Sequence, residues 1–149
     1  MEPDPDHHIK LTIAALCVSI VVGCGAEMTG ADTVAGRWYT PDEVAQGKSL
    51  FSIHCASCHG QSAEGTTDWR TTDANGIYPP PPLNGSAHGW HHSLASLQQT
   101  IAVGGAQFGG VMPGFAGTLN EAEARATIAY FQSFWSNDVY ARWREINDR

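Results

Sequence analysis

The sequence is poor in charged residues, and positive charge is the scarcest. Only 15% of its 149 residues are charged, with 8 Lys and Arg against 15 Asp and Glu, which gives a formal net charge of −7. No run of Lys or Arg occurs along the chain. Because binding to nucleic acid needs a cationic surface, we expect no nucleic-acid partner.

Two further features are missing, a long hydrophobic run and a set of paired cysteines. Roughly a dozen apolar residues follow Lys10, fewer than the ~20 that a membrane-spanning helix needs, and this length is typical of an export signal. Of the four cysteines, Cys17 and Cys24 belong to this run, whereas Cys55 and Cys58 form one short motif. The cysteines therefore do not predict a disulfide framework.

The apolar run closes in "VVGC", which resembles the bacterial lipobox. The resemblance implies cleavage before Cys24 and lipidation of that residue, which would hold the protein at a membrane surface. Ordinary cleavage near Ala26 and an uncleaved anchor are the alternatives. All three predict an extracytoplasmic, periplasmic location. We accordingly predict a signal peptide over 1–23, a flexible tether over 24–39 and one domain over 40–149.

Helix signals occur at both ends of that domain. Capping residues predict helices that begin after Thr40, Ser93 and Asn120, and an amphipathic stripe predicts a last helix over 137–146. Residues 60–92 are rich in turn formers and have no sustained period. So long a loop is uncommon unless it wraps something, so the pattern predicts an all-α fold with long loops around an apolar group.

The segment "FSIHCASCHG" contains the motif C-x-x-C-H as Cys55, Cys58 and His59. A dithiol oxidoreductase would place such thiols at the start of a helix that follows a strand, whereas here a predicted helix precedes them. Zinc binding with two of the loop histidines has acceptable ligand types but would leave His59 unexplained. The motif is the covalent attachment signature of haem c, which we favour.

Beyond the motif, the chain resembles the bacterial class I cytochromes c over about residues 40–136. The family pattern is present in the first helix as Gly47, Phe51, Cys55, Cys58 and His59, and Tyr130 of "IAYF" occupies the aromatic position that crosses Gly47. Thr127 departs from the usual large aliphatic residue, which implies a looser crossing of the two helices. The signal, the tether and an extra C-terminal helix lie outside the resemblance.

The resemblance implies one haem c, bound covalently through Cys55 and Cys58, with His59 and a distal methionine as iron ligands. Met112 in "GGVMPGF" is the candidate, because Pro113 holds it extended and Met28 lies in the predicted tether. The rival distal ligands are the loop histidines His88, His91 and His92.

Further cofactor contacts follow from the same resemblance. The carbonyl of Pro81 would accept a hydrogen bond from His59, although four consecutive prolines leave the register uncertain by one. Trp90 is a candidate donor to a haem propionate. The expected pocket or core residues are Phe51, Leu83, Leu97, Ile101, Phe115, Ile128 and Phe131.

These features predict a single-electron carrier between redox partner proteins rather than an enzyme. The iron would have all six ligands, and the sequence shows no acid–base constellation. The alternative is a haem subunit of a larger oxidoreductase, or a peroxidase-like or ligand-binding haem protein. Both a monomer and a subunit of a complex are compatible with the sequence.

Overall fold

The computed structural model describes residues 33–148 as five α-helices joined by long loops. The helices are α1 (Pro41–His54), α2 (Ala56–His59), α3 (Leu94–Val103), α4 (Glu121–Gln132) and α5 (Asn137–Asn147). Two 3₁₀ turns, Gly89–His91 and Ala106–Phe108, lie in the loops. Among the described residues there are no strands, only an isolated parallel bridge between Tyr78 and Gly110. The predicted all-α fold is therefore confirmed.

The predicted helix starts are also confirmed. The Thr40 hydroxyl accepts from the Glu43 N–H (3.1 Å) while the Glu43 carboxylate accepts from the Thr40 N–H (2.8 Å). Asn120 and Glu123 form the same reciprocal pair at the start of α4. These bonds satisfy backbone donors that the first helical turn leaves unpaired, so short-range sequence suffices to place the starts.

Helices α1 and α4 cross in direct contact at Gly47. A Cβ placed on this buried residue would overlap the carbonyl oxygen of Ala126 and would lie 3.0 Å from Cβ of Tyr130. The ring of Tyr130 packs on Phe51, with 5.2 Å between the ring centroids. The crossing is therefore close, in contrast to the looser contact that we expected from Thr127, which is buried with its hydroxyl bonded to the Glu123 carbonyl.

The segment just before α1 differs from the prediction. Residues 37–39 were assigned to a flexible tether, but Tyr39 is only 1% exposed and the Trp38 indole N–H donates to Gln132 (2.7 Å). The backbone N–H of Trp38 donates to the Tyr140 hydroxyl (2.8 Å). These aromatic residues are packed because α4 and α5 offer them both apolar surface and hydrogen-bond partners. The predicted signal and the remainder of the tether up to residue 32 lie outside the described residues.

The last helix, α5, is amphipathic as predicted, and its inward side includes Tyr140 in addition to Val139, Trp143 and Ile146. Its buried residues are Tyr140 and Trp143, while Val139 and Ile146 are only partly buried. Tyr140 is turned inward because its hydroxyl has a partner in the segment before α1. Within residues 33–148, no helix is long and apolar enough to cross a membrane.

Candidate haem site

The C-x-x-C-H motif lies where α1 ends and α2 begins. Cys55 caps α1 with its N–H on the Phe51 carbonyl, and its own carbonyl accepts from Cys58 (3.1 Å) and His59 (2.9 Å). One tight turn thus carries both cysteines and the histidine. Both thiols are free, Cys55 half-buried and Cys58 exposed.

Burial raises the pKa of the Cys55 thiol to about 11, with a smaller contribution from the neighbouring Cys58. The thiol is therefore protonated at neutral pH. A reactive redox cysteine requires the opposite shift, since the thiolate is the nucleophile. The environment of Cys55 does not favour the dithiol oxidoreductase alternative.

His59 is buried, and its ring is held by one hydrogen bond. Nδ1 lies 2.9 Å from the carbonyl oxygen of Pro81, the contact that the resemblance implied. Because a carbonyl only accepts, Nδ1 carries the proton and Nε2 keeps its lone pair. Burial lowers the pKa of His59, and the bond to Pro81 partly opposes this. The imidazole is thus neutral, with Nε2 available to a metal.

The proline loop, which contains the four consecutive prolines at 79–82, is held by hydrogen bonds from two directions. The Ala63 carbonyl accepts from the backbone N–H groups of Leu83 (2.8 Å) and Asn84 (3.1 Å). The Trp135 indole N–H donates to the Leu83 carbonyl (2.7 Å). These bonds decide the register among the four prolines, so that Pro81 faces His59.

Ala63 was not identified from the sequence. It is fully buried and has φ +56°, a left-handed conformation that is uncommon for any residue except glycine. An alanine gives no local signal of that conformation. Only the two bonds that its carbonyl accepts from the proline loop reveal its role.

Met112 lies in the loop segment 109–115, which we call the strap and which runs against the end of α3. The Gly105 N–H donates to the Met112 carbonyl (2.9 Å), and the Phe115 N–H donates to the Ile101 carbonyl (2.9 Å). At Gly104 (φ +87°), a Cβ would lie 2.6 Å from the Met112 carbonyl oxygen. The strap can therefore approach α3 only because this position is glycine.

The strap is also close to the C-terminal end of α1. The rings of Phe115 and His54 meet edge to face with 6.1 Å between centroids, and His54 directly precedes Cys55. His54 is half-buried at this contact. The predicted site residues that pack, partly buried, against the common core are Cys55, Leu83, Trp90, Met112 and Phe115. Of the other expected core residues, Phe51, Ile101, Ile128 and Phe131 are buried and Leu97 is partly buried.

Trp90 lies in the first 3₁₀ turn, half-buried. The indole N–H groups of Trp38, Trp135 and Trp143 donate to protein oxygens, whereas that of Trp90 donates to none of the described residues. This donor is compatible with a propionate partner.

The residues present fit a covalently bound haem c. The motif supplies two free thiols one turn apart and an imidazole with Nε2 unprotonated. A thioether and several apolar side chains lie partly buried beside the same core. Soft sulfur and neutral imidazole are suitable axial ligands for haem iron.

Comparisons with known proteins identify relatives of this chain among subunits of cbb3-type cytochrome c oxidases. Residues 42–131, well over half of the chain, match the family described as cytochrome C oxidase, cbb3-type, subunit III. The chain is 31% identical over 95 residues to a cbb3-type cytochrome c oxidase subunit CcoP of Azospirillum sp. (strain B510), covering 64% of this chain and 30% of the relative. It is 33% identical over 94 residues to cbb3-type subunit FixPc of Rhizobium leguminosarum bv. viciae, covering 58% of this chain and 29% of that protein.

A solved structure has a similar fold. Cytochrome cL of the marine methylotrophic bacterium Methylophaga aminisulfidivorans MPT superposes with a TM-score of 0.53 at 21% identity, covering 84% of this chain and 80% of that one. At this identity the likeness shows the fold alone. The chain spans about a third or less of the length of the curated relatives that it matches. From the motif, the fold and the family match together, this chain belongs to the cbb3-type cytochrome c oxidase subunit III family of c-type cytochrome domains.

Proposed function

We propose that the chain carries one haem c, attached through Cys55 and Cys58, and transfers single electrons between extracytoplasmic redox proteins. The observation that carries this proposal is the buried imidazole of His59, oriented by Pro81 so that Nε2 is free to ligate iron. Haem iron supplies the one-electron chemistry when it is bound. The surrounding residues bind, orient and shield the group.

Met112 is the proposed distal ligand. Its strap is hydrogen-bonded to Gly105, just after α3, and to Ile101 in α3, so the thioether would stay in place in both oxidation states. A fixed ligand pair keeps the structural change on electron transfer small. The hydrogen bond from His59 to Pro81 also increases the donor strength of the imidazole.

Exposed apolar side chains lie in and beside this strap and suit a transient partner. Phe108 and Val111 are 64% and 68% exposed. Tyr78, bridged to Gly110, adds a third apolar side chain that is also exposed. Small exposed apolar patches are typical of interaction sites, and electron-transfer complexes generally bury little surface.

A second candidate function is that of a haem subunit in an oxidase complex. The observation that favours it is the match to CcoP and FixPc, both named as subunits of cbb3-type oxidases. Native electrophoresis of mildly solubilised membranes, followed by haem staining, distinguishes the two. A free carrier migrates near the mass of the mature chain plus haem, which does not exceed the 16.0 kDa of the whole sequence by more than the haem and lipid, whereas a subunit migrates with a large complex.

Replacement of the proposed distal ligand Met112 tests the proposed electron-carrier function. We expect Met112→Ala to lower the reduction potential by on the order of 0.1 V or more, since axial ligands set haem potentials over a range of ~0.8 V. The variant should also bind carbon monoxide, which the wild type should resist. Redox titration and absorption spectra measure both effects.

Pro113→Ala is the matched control, because it loosens the strap and keeps the thioether. Its potential should fall between those of the wild type and Met112→Ala. An unchanged potential in Met112→Ala would place the distal ligand elsewhere, with His88, His91 and His92 next to be replaced. Ready binding of carbon monoxide by the wild type would favour a ligand-binding or peroxidase-like function.

A further inference from the structure

Three histidines converge on the loop before α3. His88, His91 and His92 each bring a ring nitrogen to within 4.8 Å of the others. The His88 ring meets those of His91 and His92 edge to face, with 5.4 Å between centroids in both cases. His91 is exposed and the other two are half-buried. The electron-transfer proposal uses none of the three.

The His88 side chain lacks a partner that its burial would normally require. Its Nδ1 is shielded from solvent and has no hydrogen bond among the described residues. The ring itself is fixed by Trp69, which stacks on it with 4.7 Å between centroids. A buried imidazole nitrogen without a partner costs free energy, which makes the His88 side chain an unusual feature of this loop.

Electrostatics keep two of these rings in the form that binds metals. Burial lowers the pKa of His88, followed by the effects of His92, His91 and the Arg70 guanidinium. Burial and His91 also lower the pKa of His92. Arg70 is the nearby cation, and its guanidinium lies over the Trp69 ring, 4.6 Å from the ring centroid. The neutral imidazole is the ligand form, because a protonated ring has no lone pair to donate.

The backbone that carries the three histidines is held in place. The His91 N–H donates to the His88 carbonyl (3.2 Å), closing a single 3₁₀ turn. The Trp143 indole of α5 donates to the His92 carbonyl (2.9 Å). A bond from α5 and a closed turn thus preorganise the cluster, which is unusual for a solvent-facing histidine-rich loop.

We propose that His88, His91 and His92 form a binding site for one first-row divalent transition-metal ion, zinc or copper(II). Three neutral imidazoles match the preference of these ions, whereas calcium and magnesium require oxygen ligands. Ligand nitrogens around tetrahedral zinc lie about 3.4 Å apart, given Zn–N bonds of about 2.0–2.1 Å. The three ligand nitrogens now lie within 4.8 Å of one another, so the side chains must move closer together to bind one ion. The fourth position stays open to water or to a ligand from another molecule.

The test uses the full chain with its haem attached, produced without a histidine tag and treated with a chelator. Zinc chloride and copper sulfate are titrated separately by calorimetry. We expect one ion per chain, with affinity at least tenfold weaker in each of His88→Ala, His91→Ala and His92→Ala. The triple variant should lose the site. His54→Gln is the matched control, because it removes a histidine outside the cluster, and its affinity should stay within twofold of the wild type.

Two further measurements separate this site from the haem. Copper(II) bound to the wild type should show nitrogen hyperfine splitting in its electron paramagnetic resonance spectrum, and zinc should raise the melting temperature of the wild type but not of the triple variant. The haem spectrum of the triple variant should equal that of the wild type, whatever the result for Met112→Ala. The proposal is overturned if the triple variant binds either ion as tightly as the wild type, if the wild type binds neither at micromolar concentration, or if the triple variant loses its low-spin haem spectrum.

Discussion

Single residues of this protein show how burial changes acid–base behaviour. The half-buried Cys55 has a pKa of about 11, and His59 has a lowered pKa. Both shifts favour the neutral form, because burial removes the water that stabilises charge. Around the haem-binding motif, this keeps the thiol protonated and the imidazole ready to bind iron.

Tyr39 provides a test of the same effect in a residue outside the haem site. Burial raises its pKa above the usual value of 10, the nearby Arg37 opposes the shift and Tyr140 adds to it. The folded protein therefore holds the phenol proton more tightly than the unfolded chain does. Stability is unaffected by this group below pH 10 and falls as the pH rises above that value.

We expect the melting temperature of Tyr39→Phe to fall less than that of the wild type between about pH 9 and pH 11. Circular dichroism at a series of pH values measures it. Tyr78→Phe, which removes an exposed tyrosine, is the control and should follow the wild-type curve. Equal alkaline losses in Tyr39→Phe and the wild type would show that Tyr39 does not contribute.

Among the elements, the crossing of α1 and α4 holds the C-x-x-C-H turn in position. Its contact is backbone against backbone at Gly47 and Ala126, which leaves no room for a side chain. Two tryptophans near the C-terminus, Trp135 between α4 and α5 and Trp143 in α5, hold the loops. The Trp135 indole N–H bonds to the proline loop at Leu83. The Trp143 indole N–H bonds to His92, in the loop that also carries His88 and His91.

Gly47→Ala tests this crossing. Alanine normally stabilises a helix by about 1 kcal/mol relative to glycine. Here the methyl group would overlap the Ala126 carbonyl, so we expect a net loss of about 1–3 kcal/mol in the free energy of unfolding. Urea denaturation of the haem-containing protein measures it. Ser49→Ala, an exposed change in the same helix, should stay within about 0.5 kcal/mol of the wild type, and a stabilised Gly47→Ala would contradict the close crossing.

For the molecule as a whole, the sequence predicts a domain that is held outside the cytoplasm by a lipid anchor. The lipobox-like "VVGC" lies outside the described residues, so lipidation of Cys24 stays a prediction.

Replacing Cys24 tests the anchor. We expect Cys24→Ser to move the protein from the membrane fraction to the soluble periplasmic fraction, or to stop its processing. Cell fractionation and the intact mass of the mature protein measure this, and Cys17→Ser in the same apolar run should leave both unchanged. A wild-type distribution and mass for Cys24→Ser would favour ordinary cleavage or an uncleaved anchor.

The features that the sequence predicted well depend on neighbours along the chain. A capping box joins residues three positions apart, and C-x-x-C-H lies within five residues, so local spacing alone specifies the helix starts and the haem-binding turn. The family resemblance implied a hydrogen bond from His59 to Pro81, but it did not decide which of the four consecutive prolines accepts that bond.

Contacts between residues that are distant in sequence decided the features that the sequence did not predict. Pro81 faces His59 because Ala63 and Trp135, distant in sequence, hold the proline loop at one register. Residues 37–39 are packed, and Tyr140 is turned inward, because each supplies the hydrogen-bond partner of the other. The sequence identified His88, His91 and His92 only as single candidate ligands, and the folded chain, with Trp69 stacked on His88 and Trp143 bonded to His92, brings the three together. Such contacts between distant residues leave no periodic or local pattern, so the sequence alone could not specify them.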